Sequence, residues 1–175
     1  MFGLWAYALR LFPWEMRRRE LTCTQPYRRG TGADVGCGEH KVSPQAIGVD
    51  LFAYAGVDLV ADVAALPFQN ESLDYVCSIH SLEHCRQPQR ALGEWFRVLR
   101  CGAPICLVLP DVRYTGLTNT DRTAHWHHWA LDTFLLWLRD IGLEDSVEVA
   151  REACPRWSFL VVLRKSPVGD ERLQR

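Results

Sequence analysis

Three groups of residues in this chain are of types, and at spacings, that could do chemistry. Gly36 and Gly38 flank Cys37 at the end of a short apolar run, and a strand that ends in Gly-x-Gly lets the backbone turn sharply and come close to a ligand. Two carboxylates follow at the ends of later apolar runs, Asp50 in GVDLF and Asp62 in DLVADVAALPF. Histidines form the third group, with His80 and His84 in SIHSLEH and His125, His127 and His128 in AHWHHWA. An imidazole near neutral pKa is the natural base for a hydroxyl or amine that must lose a proton, which makes His80 and His84 the candidate catalytic residues. The glycine turn alone is a weak signal. A dinucleotide fingerprint wants a third glycine three residues after Gly38, where this chain has Lys41, and that counts against a nicotinamide-dependent oxidoreductase. The histidine run invites a metal reading, yet a metal site needs fixed geometry and usually a carboxylate or a distant His. Its spacing follows no such logic, and no metal is expected.

Short apolar runs separated by turn residues and helical patterns must position these groups, which is how a parallel sheet with crossovers reads. The strands expected are 33–36, 47–51, 58–61, 73–79, 103–109, 147–150 and 159–164. Leu92, Trp95, Phe96 and Leu99 recur at i, i+3, i+4 and i+7, with Gly102 beyond them, so an amphipathic crossover helix joins the fourth and fifth strands. Phe134, Leu135, Leu138 and Ile141 repeat the pattern before Gly142. The last two strands are separated by only a short link through Pro155, which predicts an antiparallel hairpin. Only ten residues, Cys37 to Ala46, part the first two strands, and Pro44 is among them. A parallel crossover needs about a dozen residues and usually a helix. The expected fold is therefore α/β, with a mostly parallel seven-stranded sheet, one antiparallel edge strand, and a first crossover helix that is short or missing.

Taken in order, ADVGCGEH, GVDLF, DLVADVAALPF, SLDYVCSIHSLEH and RVLRCGAPICLVLPD make the stretch from about residue 32 to 111 resemble the class I S-adenosylmethionine-dependent methyltransferases, in particular the small type 11-like family. The resemblance implies a Rossmann-like, doubly wound fold and S-adenosyl-L-methionine as cofactor. It implies that Asp50, with Leu51 beside it, holds the ribose; two carboxylate oxygens can accept both ribose hydroxyls, which an amide cannot. Asp62 would accept from the adenine amine while the Val63 backbone reads the ring edge. Gly36, Cys37 and Gly38 would pass under the methionine part, with Asp34 assisting its ammonium and His80 facing that end. Ligands of open α/β sheets bind beyond the carboxyl ends of the strands, so Asp111, Tyr114, His125 and Trp126 are the candidate acceptor-binding residues. The acceptor expected is a small molecule, lipid or glycan. A non-catalytic cofactor-binding domain is the alternative, with an oxidoreductase behind it.

The 175 residues, 48% hydrophobic, suit one α/β domain. With 20 basic and 21 acidic residues the net charge is −1, so no general field favours nucleic acid, and none is expected as partner. Seven cysteines without a CxxC pair suit a reducing, cytoplasmic setting. At the start, Phe2, Trp5, Leu9 and Phe12 recur at helical spacing before Arg17, Arg18 and Arg19. Arg10 and Pro13 interrupt the run short of the ~20 residues a membrane span needs. A helix packed on its own domain or lidding the cleft is expected, with weak membrane-surface contact through residues 1–20 as the other reading. The division expected is an N-terminal helix and leader at 1–31, the cofactor domain at 32–166, and a tail at 167–175.

Overall fold

Runs of β-branched and other apolar residues form central strands that are buried on both faces, as parallel strands with both faces covered must be. A computed structural model describes residues 13–115 and 125–166; the stripe Phe2, Trp5, Leu9 and Phe12 and the C-terminal tail lie outside them. The strands are β1 (Gly32–Val35), β2 (Ile47–Asp50), β3 (Leu59–Val60), β4 (Tyr75–Ile79), β5 (Pro104–Pro110), β6 (Val147–Cys154) and β7 (Ser158–Arg164). They make one seven-stranded sheet of order β3-β2-β1-β4-β5-β7-β6. β7 runs antiparallel to both β5 and β6. The reversed strand thus lies second from the edge, and its hairpin partner β6 takes the edge itself. A tight turn closes that hairpin, with Arg156 at φ 59 and the Trp157 N–H donating to the Cys154 carbonyl at 3.1 Å.

The helices, in chain order, are α1 (Pro13–Thr24), α2 (Pro88–Val98), α3 (Val112–Thr115) and α4 (Leu131–Asp140). α2 opens with a proline at its first position, where the missing N–H costs nothing. It buries Leu92, Trp95 and Phe96 against the same sheet face that receives Phe134 and Leu138 from α4. No helix forms between β1 and β2; the link is a series of turns, as its length required. The opposite face is closed instead by α1, whose Cys23 joins Val42, Ala46, Tyr75, Cys77, Val108 and Val162 in a second core cluster. A segment that precedes the sheet in sequence thus covers the face that the missing crossover helix leaves bare. Among the described residues no helix is long and apolar enough to cross a membrane.

Candidate functional site

The turn after β1 is built for close approach. Gly36 has φ 74 and Gly38 φ 55, left-handed conformations that glycine alone adopts without cost. The Gly36 N–H donates to the Val49 carbonyl at 2.8 Å, which pins the turn to β2. A Cβ on Gly36 would stand 1.9 Å from Ser81 Oγ, whereas one on Gly38 would meet nothing within 4 Å. The first glycine is required by the protein's own packing, and the second faces open space. Asp34, buried beneath the turn, accepts from the Val42 N–H at 2.7 Å. Burial pushes its carboxyl up to about 6, with the Val42 hydrogen bond and nearby Arg17 and Arg28 opposing the rise. Arg17, Asp34, Gly36, Cys37, Glu39, His40 and Ile79 line a hollow of about 230 Å³. Cys37 is no nucleophile there, since burial and the charges of Asp34 and Asp50 push its thiol up to about 12.

Asp50, at the tip of β2, reaches back to this turn. Its Oδ2 accepts from the Gly38 N–H at 3.0 Å and its Oδ1 from the Phe52 N–H at 3.1 Å. A carboxylate has about four acceptor positions, so both oxygens keep capacity for hydroxyls. The Asp50 carbonyl receives the Ala61 N–H at 2.9 Å, which sets Asp62 on the neighbouring strand tip. Asp62 is exposed, and its Oδ1 caps the next turn by accepting from Ala64 N–H at 2.8 Å. Val63, half-buried, gives its carbonyl to Trp95 Nε1 at 2.8 Å, so α2 holds the Asp62 turn in place. Leu51 is 57% exposed beside Asp50, an apolar surface at the edge of the groove. These residues fit the adenosine of S-adenosylmethionine: a carboxylate at each of two adjacent tips, an apolar side chain at the rim and an unobstructed glycine.

His80 follows β4 at φ 56, a strained conformation for a residue with a Cβ. Its Nε2 donates to Oε1 of the buried Glu20 of α1 at 2.7 Å, and Ser158 Oγ donates to the same oxygen at 2.8 Å. Burial alone would depress the imidazole, but the hydrogen bonds and charges of Glu20 and Glu83 outweigh it and raise the pKa to about 9. Glu20 in turn is held below the usual carboxylate range by His80 against the effect of burial. His80 is therefore a cation at neutral pH with its Nε2 proton engaged. Neither Glu20 nor Arg17, which donates to the His40 carbonyl at 2.9 Å, was singled out from the sequence as a site residue. They stand in a charged run whose only visible signal is helical spacing.

His84, 42% exposed, stands edge-on to His125 with ring centroids 4.4 Å apart. Between the two histidine groups lies Glu83, only 1% exposed and likewise missed by the sequence reading. Its carbonyl accepts from the N–H groups of Trp126 at 3.0 Å and His127 at 3.2 Å, so the backbone itself ties the distant histidine run to the turn after β4. Trp126 is 52% exposed with the Arg86 guanidinium 4.4 Å from its ring centre. Tyr114, 41% exposed, stands at the end of α3. Asp111 is committed elsewhere: buried, it receives both Nε and Nη2 of Arg113, at 2.9 and 2.6 Å. A concavity of about 960 Å³ runs along α2 and, of these groups, includes His127.

The sheet order, the glycine turn at the first strand tip and the acids at the next two define a Rossmann-like domain of the methyltransferase kind. A family model described as a methyltransferase domain matches residues 33–107, and that stretch is similar to the class I S-adenosylmethionine-dependent methyltransferases. It is 29% identical over 107 residues to 2-methyl-6-phytyl-1,4-hydroquinone methyltransferase 1, chloroplastic, of Oryza sativa subsp. japonica, covering 60% of this chain and 32% of that protein. The corresponding Arabidopsis thaliana protein is 28% identical over 96 residues, 55% of this chain and 28% of its own. The chain thus spans about a third of the length of these curated relatives. Among solved structures, an S-adenosylmethionine-dependent methyltransferase from Thermotoga maritima superposes with TM-score 0.68 at 16% identity, covering 93% of this chain and 98% of its own. A 1,6-didemethyltoxoflavin-N1-methyltransferase from Burkholderia thailandensis, solved with S-adenosylhomocysteine, gives 0.66 at 15% identity over 92% and 84%.

Proposed function

We propose that the chain binds S-adenosylmethionine across the tips of β1, β2 and β3 and transfers its methyl group to a hydroxyl or amine of a small, ring-bearing acceptor. The observation that carries this is the Asp50 carboxylate bonded to the Gly38 N–H, which joins the acid of the second tip to the open glycine of the first. Asp50 takes the ribose hydroxyls, Asp62 and the Val63 backbone the adenine edge, Gly36 to Gly38 the methionine part and Asp34 its ammonium. Transfer from a sulfonium is a direct displacement, so the protein's task is to align the two reactants. The acceptor docks beyond β4 and β5 against Trp126, Tyr114, His84 and His125. The exposed indole and phenol suit a ring, and the plant relatives' names contain a hydroquinone with a phytyl chain. His80, already protonated against Glu20, anchors α1 beside the methionine end; the proton lost by the acceptor passes to solvent at the exposed rim of the acceptor wall beside His84.

Calorimetry with S-adenosylhomocysteine tests the first half of the proposal. One molecule binds per chain, and Asp50→Ala weakens it by roughly 30-fold or more, since hydrogen bonds to a charged group contribute about 1.5–3 kcal/mol. Absence of heat at high micromolar ligand sinks the assignment.

A further inference from the structure

Glu83 stands out among the described residues. It is a buried carboxylate, and its Oε2 has no hydrogen-bond partner among the described residues. A buried ionised oxygen without a partner is costly, and native structures keep few of them. His125 Nδ1, His127 Nε2 and both ring nitrogens of His128 are likewise buried and unpartnered among the described residues. Glu83, His125, His127 and His128 line a small void of about 10 Å³, room for roughly one water-sized species. Beside it, one ligand atom from each of Glu83, His84 and His125 lies within 4.8 Å of the other two, and His84 Nε2 is 4.0 Å from Glu83 Oε1.

We propose that Glu83, His84 and His125 form a binding site for a divalent cation of the zinc class. Two imidazoles and one carboxylate are the donor set such an ion prefers, and three protein ligands leave a position open for water or a substrate oxygen. Ligands around a tetrahedral zinc stand roughly 3.4 Å apart, so separations of up to 4.8 Å must shorten by about 1.4 Å or less. His84, being exposed, has the freedom to turn. The two segments are already held together by the backbone bonds from Trp126 and His127 to the Glu83 carbonyl. Along the chain the histidine run had no distant His or carboxylate; the fold supplies both from the turn after β4. His80 Nδ1, 3.7 Å from Glu83 Oε1, approaches from the other side, while its Nε2 is held by Glu20. The site stands on its own geometry, but it adjoins the proposed acceptor wall, where the cation would polarise an acceptor hydroxyl.

The test uses the full chain, stripped with a chelator and titrated with zinc against a chromophoric competitor, followed by cobalt for its visible spectrum. About one zinc binds per chain with a Kd of roughly 1 µM or tighter, and cobalt gives the intense visible bands of a four-coordinate nitrogen and oxygen site. His84→Ala, His125→Ala and Glu83→Gln each weaken zinc by roughly 100-fold and abolish the bands, while Cys101→Ser, which removes the exposed thiol, changes neither. Circular dichroism and S-adenosylhomocysteine affinity, measured on every variant, report whether the fold and cofactor groove persist. Zinc binding weaker than roughly 100 µM, cobalt bands of thiolate type, or zinc affinity kept in the His84→Ala/His125→Ala double variant overturns the site. Because cofactor affinity is read separately, loss of the cation with S-adenosylhomocysteine still bound refutes this proposal alone. Zinc bound without S-adenosylhomocysteine refutes only the methyl-transfer reading.

Discussion

Two carboxylates near the glycine turn are tuned in opposite directions, and each tuning can be measured. Asp34 has its pKa raised to about 6 by burial. A raised acid pKa means that the free fold gains stability from this group below the unfolded value of 3.8 and loses it as pH rises through about 6. Binding as proposed runs the other way, because an ammonium held by Asp34 requires the ionised carboxylate. S-adenosylhomocysteine affinity is therefore expected to fall about tenfold between pH 7.5 and pH 5, and Asp34→Asn to flatten that profile; a wild-type profile that is already flat removes Asp34 from the ammonium. Glu20 is the opposite case, an acid held ionised by His80. His80 is raised from 6.5 to about 9 and Glu20 is lowered from 4.5, so the pair's stabilisation is fully present between 4.5 and 6.5, is lost as pH rises through 9, and is lost in acid as Glu20 takes up its proton. Glu20→Gln should cost about 2 kcal/mol near neutral pH, a drop of roughly 5 °C in Tm, and should erase the decline of Tm between pH 7 and 9. None of this was legible along the chain. Asp34 looks like any acid after an alanine, and the Glu20–His80 pair joins residues whose separation in sequence leaves no pattern.

The elements show where patterning suffices and where it stops. All seven strands fall at the apolar runs expected: β1, β4, β5 and β7 are buried almost throughout, while the largely exposed β3 and β6 are marked by the turn residues that close them. The ends moved for local reasons. β3 shrinks to Leu59–Val60 because Asp58 spends its side chain on the Gly48 N–H and Lys41. β4 starts at Tyr75, and Leu73 before it pairs instead with Leu99 in an isolated bridge. The turn between β1 and β2 was legible as helix-free from its length, and its two glycines separate folding from function. Gly36→Ala places a methyl against Ser81 at a φ of 74, and should cost about 3 kcal/mol or more in chemical denaturation. Gly38→Ala carries only the backbone penalty, about 1 kcal/mol, yet should weaken S-adenosylhomocysteine by more than roughly 30-fold because its methyl stands where the methionine part passes. Unchanged affinity in a folded Gly38→Ala protein would move the cradle elsewhere.

At the scale of the molecule, the chain replaces a missing crossover helix with a segment from outside the sheet, and the replacement has to be fastened. Arg28 does this. Its Nη1 donates to the Val42 carbonyl at 2.7 Å in the helix-free link, and its Nη2 to the Leu21 carbonyl at 2.9 Å near the end of α1. The Val42 N–H, on the same peptide chain, holds Asp34, so a single guanidinium couples α1, the β1–β2 link and the methionine side of the groove. The sequence reading placed a helix and leader ahead of a domain that began at residue 32 and expected that helix to pack on the domain or lid its cleft; it could not show which sheet face is closed, since helical spacing says which side of a helix is apolar and not what that side meets. Arg28→Ala should therefore lower stability by about 2–3 kcal/mol through two charge-assisted hydrogen bonds, roughly 6–8 °C in Tm. The exposed Arg29, its neighbour, should change stability by less than about 0.5 kcal/mol on the same substitution. Arg28→Lys should rescue only part of the loss, because an ammonium cannot span both carbonyls with a rigid fork. Hydrogen exchange locates the effect: the amides of α1 and of the link around Val42 should lose protection together, with S-adenosylhomocysteine affinity several-fold weaker, while β5 and β7 stay protected. Loss confined to the last turn of α1, with the link and cofactor affinity intact, would show that the helix and the groove are held independently.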